Sequence, residues 1–436
     1  MFFAVPTRTG RCAVPYRSFI QTLGLLALAF GVPLAYAEDD PLTLARALSR
    51  AMAQHPALEV FDLRLQGLEG RRVTADQNPA LEAGLEVENV LGSDELHGVG
   101  NAEYTLSLSS TVELGGKRQA RVSAVDSRYG LIEAERRAET LAVLGLVTQR
   151  FIATLALQEK LALAVQAVAL AETTHEIVAL RANRGATPQA EVLRAKASLT
   201  RTRLERSRLQ AEFASRKVAL ASLWGDTDPD FPSLEGDLFH FGSSDSFEAL
   251  YQRVSETPAI EIYASERRIR EAEVQLARSA SESDIRWQVG VRRFEGTNDT
   301  ALVAGVSVPL FAGPRNRGAV HSALAARDET RYRREEALRR LHARLFEAYL
   351  KRRQSIEAVG LIRDEMLPDL TSALTATREA YENGRYSYVE WIAAQRELLS
   401  ARRALVDAAT TALLEQALIE QLTAQPLTAV QGAPAR

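Results

Sequence analysis

Two stretches of this chain, residues 117–183 and 315–383, keep a helical period throughout, and their length limits what the rest can be. Apolar side chains recur at steps of three and four, as in Leu144, Val147, Phe151 and Leu155 and again in Leu338, Leu341, Leu345 and Tyr349. At ~1.5 Å per residue, roughly 67 residues extend ~100 Å, far beyond the diameter of a globular domain. Such a helix needs neighbours of equal length, and they follow directly. Beyond Gly185 and Gly384 two more helical runs reach Trp224 and about Thr423. In the second of these, Ile392, Leu399, Val406 and Leu413 fall seven apart, as along a coiled-coil seam. The expectation is two antiparallel hairpins with tips at Gly185 and Gly384. Pro368 bends the second long run, because an interior proline removes a backbone donor.

Ahead of each long run the period changes to two. Leu81, Ala83, Leu85 and Val87 alternate with Glu82, Gly84, Glu86 and Glu88, so the carboxylates share one face of a strand. Tyr104, Leu106, Leu108, Val112 and Leu114 alternate likewise with Thr105, Ser107, Ser109, Thr111 and Glu113. In the second half Ile285, Trp287, Val289 and Val291 oppose Arg286, Gln288 and Arg292, and a partner strand follows from Leu302 to Leu310. Four strands of about ten residues have the length a tilted strand needs to cross a bilayer. They cannot close a barrel alone, and lipid does not tolerate open sheet edges, so the chain must oligomerise. Three copies supply twelve strands, with the helices assembled as a cylinder beneath.

The two halves are copies of one plan. Ala47-Leu48 and His55-Pro56-Ala57-Leu58-Glu59 recur as Ala249-Leu250 and Thr257-Pro258-Ala259-Ile260-Glu261, and the tip glycines repeat at nearly the same offset of about 200 residues. The plan divides the chain into a first repeat over 38–224, a linker rich in Gly, Pro, Asp and Ser over 225–246, a second repeat over 247–423, and a disordered tail over 424–436.

Residues 1–37 carry Arg8, Arg11 and Arg17, a short apolar run over 19–34 and then Ala35-Tyr36-Ala37, the order of a secretory signal peptide cleaved after Ala37. Cys12 is the only cysteine and lies inside that segment, so neither a disulfide nor an N-terminal lipid is expected on the mature chain. No later stretch is expected to form a membrane-spanning helix. A net charge of -3 with scattered Lys and Arg excludes a nucleic-acid partner, and 6% aromatics argues against aromatic-lined pockets.

On these residues the mature chain resembles the TolC family of outer-membrane efflux proteins. The resemblance rests on the duplication, the order strand, strand, long helix, and the turn Gly384-Arg385-Tyr386-Ser387-Tyr388-Val389-Glu390. Within that family, Asn78-Pro79-Ala80-Leu81-Glu82 leading to Glu88-Asn89, and Val112-Glu113-Leu114-Gly115-Gly116-Lys117-Arg118, are similar to the cobalt-zinc-cadmium type of channel. The resemblance implies a mainly α channel-tunnel with a small β part. It also implies a homotrimer with a 12-stranded barrel in outer-membrane lipid and an α-helical periplasmic tunnel, docking on a periplasmic adaptor protein and an inner-membrane resistance-nodulation-division transporter. The second half departs from the pattern in lacking the Gly-Gly-Lys-Arg form.

No enzyme chemistry and no cofactor are expected. The histidines, for example His55, His97, His175 and His321, are scattered without metal-ligand spacing, and a duct that bound its cargo tightly would obstruct flow. Glu82, Glu86, Glu88, Arg286 and Arg292 are candidates to face the lumen. Gly115, Gly116 and Gly313 are expected to supply the backbone freedom for the turn from strand to helix. Glu191 and Glu390, each six positions past a tip glycine, match by resemblance the acidic positions that line the closed periplasmic entrance, while Ala393 occupies the family's second acidic position. The same duct serving organic drugs or secreted polypeptides, and a periplasmic coiled-coil scaffold without a pore, are the competing functions.

Overall fold

The computed structural model describes residues 40–242 and 245–427. The signal-peptide reading of 1–37, Cys12 and most of the expected tail lie outside the described residues. The chain opens with a short strand β1 (Leu42–Thr43), helix α1 (Leu44–Gln54) and helix α2 (Pro56–Ala75). The α1 to α2 break falls at His55, just ahead of Pro56 at the first helical position, where a missing N–H costs nothing. Strands β2 (Glu82–Glu88) and β3 (Glu103–Val112) lead into α3 (Lys117–Asp126) and α4 (Tyr129–Asn183), and α5 (Gln189–Ala221) returns. After strand β4 (Leu234–Glu235) the second half repeats the plan with α6 (Phe247–Val254), α7 (Pro258–Ser279), β5 (Ile285–Phe294), β6 (Thr300–Ser307), α8 (Ala312–Leu361), α9 (Leu367–Glu382) and α10 (Tyr388–Leu422).

The four long strands form one antiparallel sheet in the order β2-β3-β5-β6. The halves join at β3 and β5, where Glu103 faces Phe294 and Val112 faces Ile285. Register puts Glu82, Ser109 and Gln288 in one row and Glu86, Thr105 and Arg292 in another, so one face is polar across β2, β3 and β5, while β6 adds the small residues Ala301, Val303 and Gly305 to it. The opposite face carries Leu85, Leu106, Val291 and Leu302 in one row, and Leu302 is 88% exposed. An apolar face this bare in a single chain suits lipid and not water. β2 and β6 are the free edges.

The largest core lies well away from the sheet, where α1, α4 and α10 meet. Val147, Phe151, Ile152 and Leu155 of α4 pack there against Ala47 and Ala51 of α1 and Ala409 and Leu413 of α10. The stretch 225–246, expected as a plain linker, contributes to it. Phe231, Leu234 and Leu238 are buried in this core, and Leu234 pairs in parallel with Leu42. Its apolar residues recur every three or four positions among the turn formers, so one side of an irregular segment is buried. Of the expected tail, Leu427 is also buried.

Three expectations change in detail. The first long run is interrupted at Ser127–Arg128 between α3 and α4. It also contains an 18-residue window that is, by length and composition, apolar enough to cross a membrane. More than half of that window is buried, because a helix packed on several sides is hydrophobic all round. The bend of the second run is a π-turn at Ile362–Met366 directly ahead of Pro368. The proline has no N–H for the carbonyl four residues back and its ring crowds that carbonyl; the wider turn relieves both.

Phe151 is fully buried at the centre of the core. Phe151→Ala is expected to cost about 3–5 kcal/mol, the range for emptying a buried aromatic site, and to appear as a lowered urea midpoint of the helical signal in detergent.

Candidate functional site

The polar sheet face is built by alternation alone, and it brings every lumen candidate together. Arg286 Nη2 reaches Glu82 Oε2 at 2.6 Å across the intervening strand β3. Arg292 contacts Glu88 at 2.7 Å and Glu103 at 2.9 Å, and its Nε donates to the Thr105 hydroxyl at 2.8 Å. Glu86 shares a row with Arg292 and is exposed. Both arginines of the second half are therefore taken by glutamates of the first, and the row keeps an acidic surplus at its β2 edge. Glu103 was not singled out from sequence, although it stands in phase with Thr105 and Ser107.

At the strand-to-helix turn of the first half, Gly115 and Gly116 adopt left-handed φ of +69° and +68°. A Cβ on Gly115 would lie 2.5 Å from Glu282, so that position excludes a side chain on two counts. Lys117 Nζ closes the turn on Asp284 Oδ1 at 2.6 Å and on the Glu282 carbonyl at 2.7 Å, and the Leu114 N–H donates to the same Asp284 oxygen. The Gly-Gly-Lys stretch is thus a splice that fastens the first half to the loop ahead of β5. Gly313 does not play the matching part. It lies inside the first turn of α8, and the left-handed residue of the second half is Phe311 at φ +61°. The chain there reaches its helix through one such residue instead of two, with the Phe311 side chain 75% exposed.

The two hairpin tips lie against each other. Gly185 and Gly384 take φ of +73° and +75°, the left-handed conformation that ends α4 and α9 and turns the chain. Behind them Val178, Ala195, Tyr381, Tyr388, Trp391 and Ile392 form a small core, with Tyr381 stacked on Trp391 at 5.0 Å between ring centroids. Arg181 lies 4.9 Å over the Tyr381 ring and donates to the Glu382 carbonyl.

Glu191 and Glu390 occupy equivalent places, the third residue of α5 and of α10. Glu191 accepts from the Tyr381 hydroxyl at 3.2 Å and from the Thr187 hydroxyl. Burial, together with the neighbouring Glu191 charge, pushes the Tyr381 hydroxyl above its ordinary pKa despite its bond to Thr187. Glu390 closes a capping box: its carboxylate accepts from the Ser387 N–H at 2.7 Å and from the Ser387 hydroxyl, which in turn accepts from the Glu390 N–H. Those bonds hold Glu390 below the ordinary carboxylate range, the backbone N–H contributing most. Sequence reasoning singled out both glutamates and missed Thr187, Arg181 and Tyr381; the contact between tips depends on how α10 packs on α4 and α9, which no local pattern encodes. Among the described residues no cluster of His, Cys, Asp and Glu is arranged to hold a metal.

Loss of the cap should loosen the tip. Ser387→Ala is expected to cost about 1 kcal/mol locally and to raise trypsin cleavage after Arg385 several-fold while leaving cleavage after Arg184 unchanged. The pH dependence has a definite sign. Because the folded pKa of Glu390 is lowered, its contribution is complete above its unfolded value near 4.5 and is lost as pH falls below it through the folded value. Amide exchange at the start of α10 should therefore accelerate below that pH, over and above the intrinsic trend, and Glu390→Gln should abolish the change.

Comparison with known proteins agrees with this architecture. The profile of the family described as outer membrane efflux protein matches residues 47–226 and 250–425, one match per repeat. The cobalt-zinc-cadmium resistance protein CzcC of Cupriavidus metallidurans is 27% identical over 83% of this chain and 85% of its own length. The nickel-cobalt-cadmium resistance protein NccC of Alcaligenes xylosoxydans is 26% identical over 69% of this chain and 68% of its own. Among solved structures, the channel CusC superposes with a TM-score of 0.72 at 17% identity, over 87% of this chain and 91% of its own. The outer membrane protein VceC of Vibrio cholerae superposes with a TM-score of 0.68 at 21% identity, over 87% and 96%. A duplicated chain with one open antiparallel sheet, bare to lipid on one face and charged on the other, above paired helical hairpins of the length found here, belongs to the outer membrane efflux protein family.

Proposed function

We propose that this chain is the outer-membrane duct of a three-part pump and passively conducts heavy-metal cations out of the cell. The likeness to the cobalt-zinc-cadmium resistance protein along 83% of the chain carries the reading of the cargo. The duct works as a homotrimer: the free edges β2 and β6 pair between copies to give twelve strands, which satisfies every ladder group that a single chain leaves open. A periplasmic adaptor protein meets the hairpin tips, and an inner-membrane resistance-nodulation-division transporter supplies energy and choice of cargo. The chain reaches the outer membrane after removal of residues 1–37. No catalysis is involved. Glu82, Glu86 and Glu88 line the lumen, and their acidic surplus over Arg286 and Arg292 favours cations in transit without a tight site.

Deletion of the gene is expected to lower tolerance of zinc, cobalt or cadmium more than tolerance of dyes and detergents, with the protein recovered from the outer membrane as a crosslinkable trimer. Unchanged metal tolerance with lost drug tolerance would assign the duct to organic cargo, and a soluble monomer in the periplasm would leave only a scaffold.

Glu191 and Glu390 are the gate candidates, and three copies of each approach the axis when the tunnel closes. The Ser387 bonds hold Glu390 below the ordinary carboxylate range, and a charged carboxylate is what a cation-binding ring requires. In planar bilayers the double variant Glu191→Ala with Glu390→Ala is expected to raise the blocking concentration of a trivalent cation about tenfold at fixed ionic strength, the size of a loss of ~1.4 kcal/mol in binding. Equal block in variant and parent would leave Glu390 as a helix cap and Glu191 as a partner of Tyr381 and Thr187 alone.

A further inference from the structure

We propose that Phe311 and Leu91 are lipid anchors that bracket the four-stranded sheet at the two boundaries of the bilayer and fix its depth; this deepens the reading of an outer-membrane duct above and rests on it. Among the described residues, six other than glycine hold a left-handed φ. Asparagine, aspartate and alanine account for four of them, and the two large apolar ones are Leu91 at +58° and Phe311 at +61°. Such backbone is costly for a bulky residue, and chains keep it where the side chain it presents has a use. Neither side chain is covered by the chain itself: Leu91 is 83% exposed, and Phe311 is nearly as bare.

Both stand where a free edge of the sheet ends. Leu91 comes three residues after β2, at the end far from the helices, and Phe311 four residues after β6, where the chain enters α8. The apolar face runs into both places. Leu302 and Val306 of β6 lie on it, and the alternation continues past the strand through Val308 and Leu310, both exposed. A tilted strand needs about ten residues to cross the hydrocarbon. Leu302 to Phe311 is ten residues and Leu81 to Leu91 is eleven, counting both ends, so each anchor falls where its chain has just crossed. Charge begins directly beyond, with Asp94 after Leu91 and with Arg315 and Arg317 after Phe311, all exposed. An apolar side chain at that level sits where acyl chains meet headgroups, the place aromatic residues favour.

The anchors are held firmly. The Leu91 N–H donates to the Gly98 carbonyl at 2.9 Å and closes its loop. Ahead of Phe311 the Pro309 carbonyl accepts from the Ser283 hydroxyl at 2.6 Å, and behind it Asn316 donates to the Ala277 carbonyl and the Ser281 hydroxyl. The matching turn of the first repeat follows an inner strand and is fastened to protein instead, through Lys117 and Asp284. A neighbouring copy covers Phe311 poorly: the segment it brings beside the end of β6 is the one ahead of its own β2, and that segment is polar from Asp76 to Asn78.

Depth-resolved fluorescence tests this, with the trimer purified from outer membranes and reconstituted into phosphatidylcholine vesicles. Trp287, on the apolar face opposite Val306, is removed as W287F, while Trp224 and Trp391 are buried in helical cores and set the baseline. In that background F311W and L91W should each be quenched about twofold more by a lipid with its nitroxide at the headgroup boundary than by one labelled at the chain end, and neither by aqueous iodide. A second measurement keeps Trp287 as the reporter and uses F311G/L91G, since glycine takes left-handed backbone freely and removes both anchors. Quenching of Trp287 by the shallow and the deep lipid should then converge as the sheet loses its fixed depth. Quenching of either introduced tryptophan by iodide and not by lipid overturns its role as an anchor, and quenching by neither places it under a neighbouring copy and overturns it as well. An unchanged Trp287 profile in F311G/L91G overturns the fixing of depth. A parent chain that fails to insert overturns the outer-membrane reading itself, whatever the variants do.

Discussion

Every main-chain polar group inside a bilayer needs a partner, and this chain presents a four-stranded sheet with two free edges, β2 and β6. The rest of the molecule follows from that constraint. The apolar face, with Leu85, Leu106, Val291 and Leu302 in a single row, has no protein cover and suits only lipid. The other face carries the charged side chains. There Arg286 and Arg292 find their acids in the first repeat, so the ion pairs tie the repeats together across the face while leaving the β2 edge acidic. Exposed pairs of this kind contribute little to stability, so their consequence is the pattern of charge on this face.

The sheet contributes little core of its own, so stability resides in the helices. Phe151 and its neighbours form a core where α1, α4, α10 and β4 meet, and a second small cluster at the tips holds the two hairpins together through Tyr381, Trp391 and Arg181. Between these two fixed points the helices run as long rods, and the π-turn at Ile362–Met366 interrupts only the second hairpin. The duplication is therefore inexact where it matters mechanically. The first tip begins its return helix at Pro188 with no side-chain cap, whereas the second begins at Ser387 with a full capping box. Two repeats of one plan have acquired different local devices at equivalent places.

Much of this is legible in the residues because it rests on local periods. Alternation at Glu82, Glu86 and Glu88 specifies a strand face, steps of three and four from Leu144 to Leu155 specify a helix, and glycines at 185 and 384 mark reversals that only left-handed backbone allows. The errors have equally local causes. Gly313 was assigned a turn by analogy with Gly115 and Gly116, but the left-handed residue is Phe311, and a φ value is not written in residue type alone. The segment 225–246 has the composition of a linker and nonetheless buries Phe231, Leu234 and Leu238, since three well-spaced apolar residues suffice to dock a segment rich in turn formers.

By itself the sequence determined the elements, their order, their duplication and which face of each strand is charged, because each depends on repeats no longer than a few residues and on the steric limits of glycine and proline. Tertiary structure alone decided which elements meet: that Glu82 finds Arg286 across an intervening strand, that Lys117 fastens the Gly-Gly turn to Asp284, and that Tyr381 reaches Glu191 between the tips. These partners lie more than a hundred residues apart, and distance along a chain carries no record of who will be adjacent once helices of this length pack side by side.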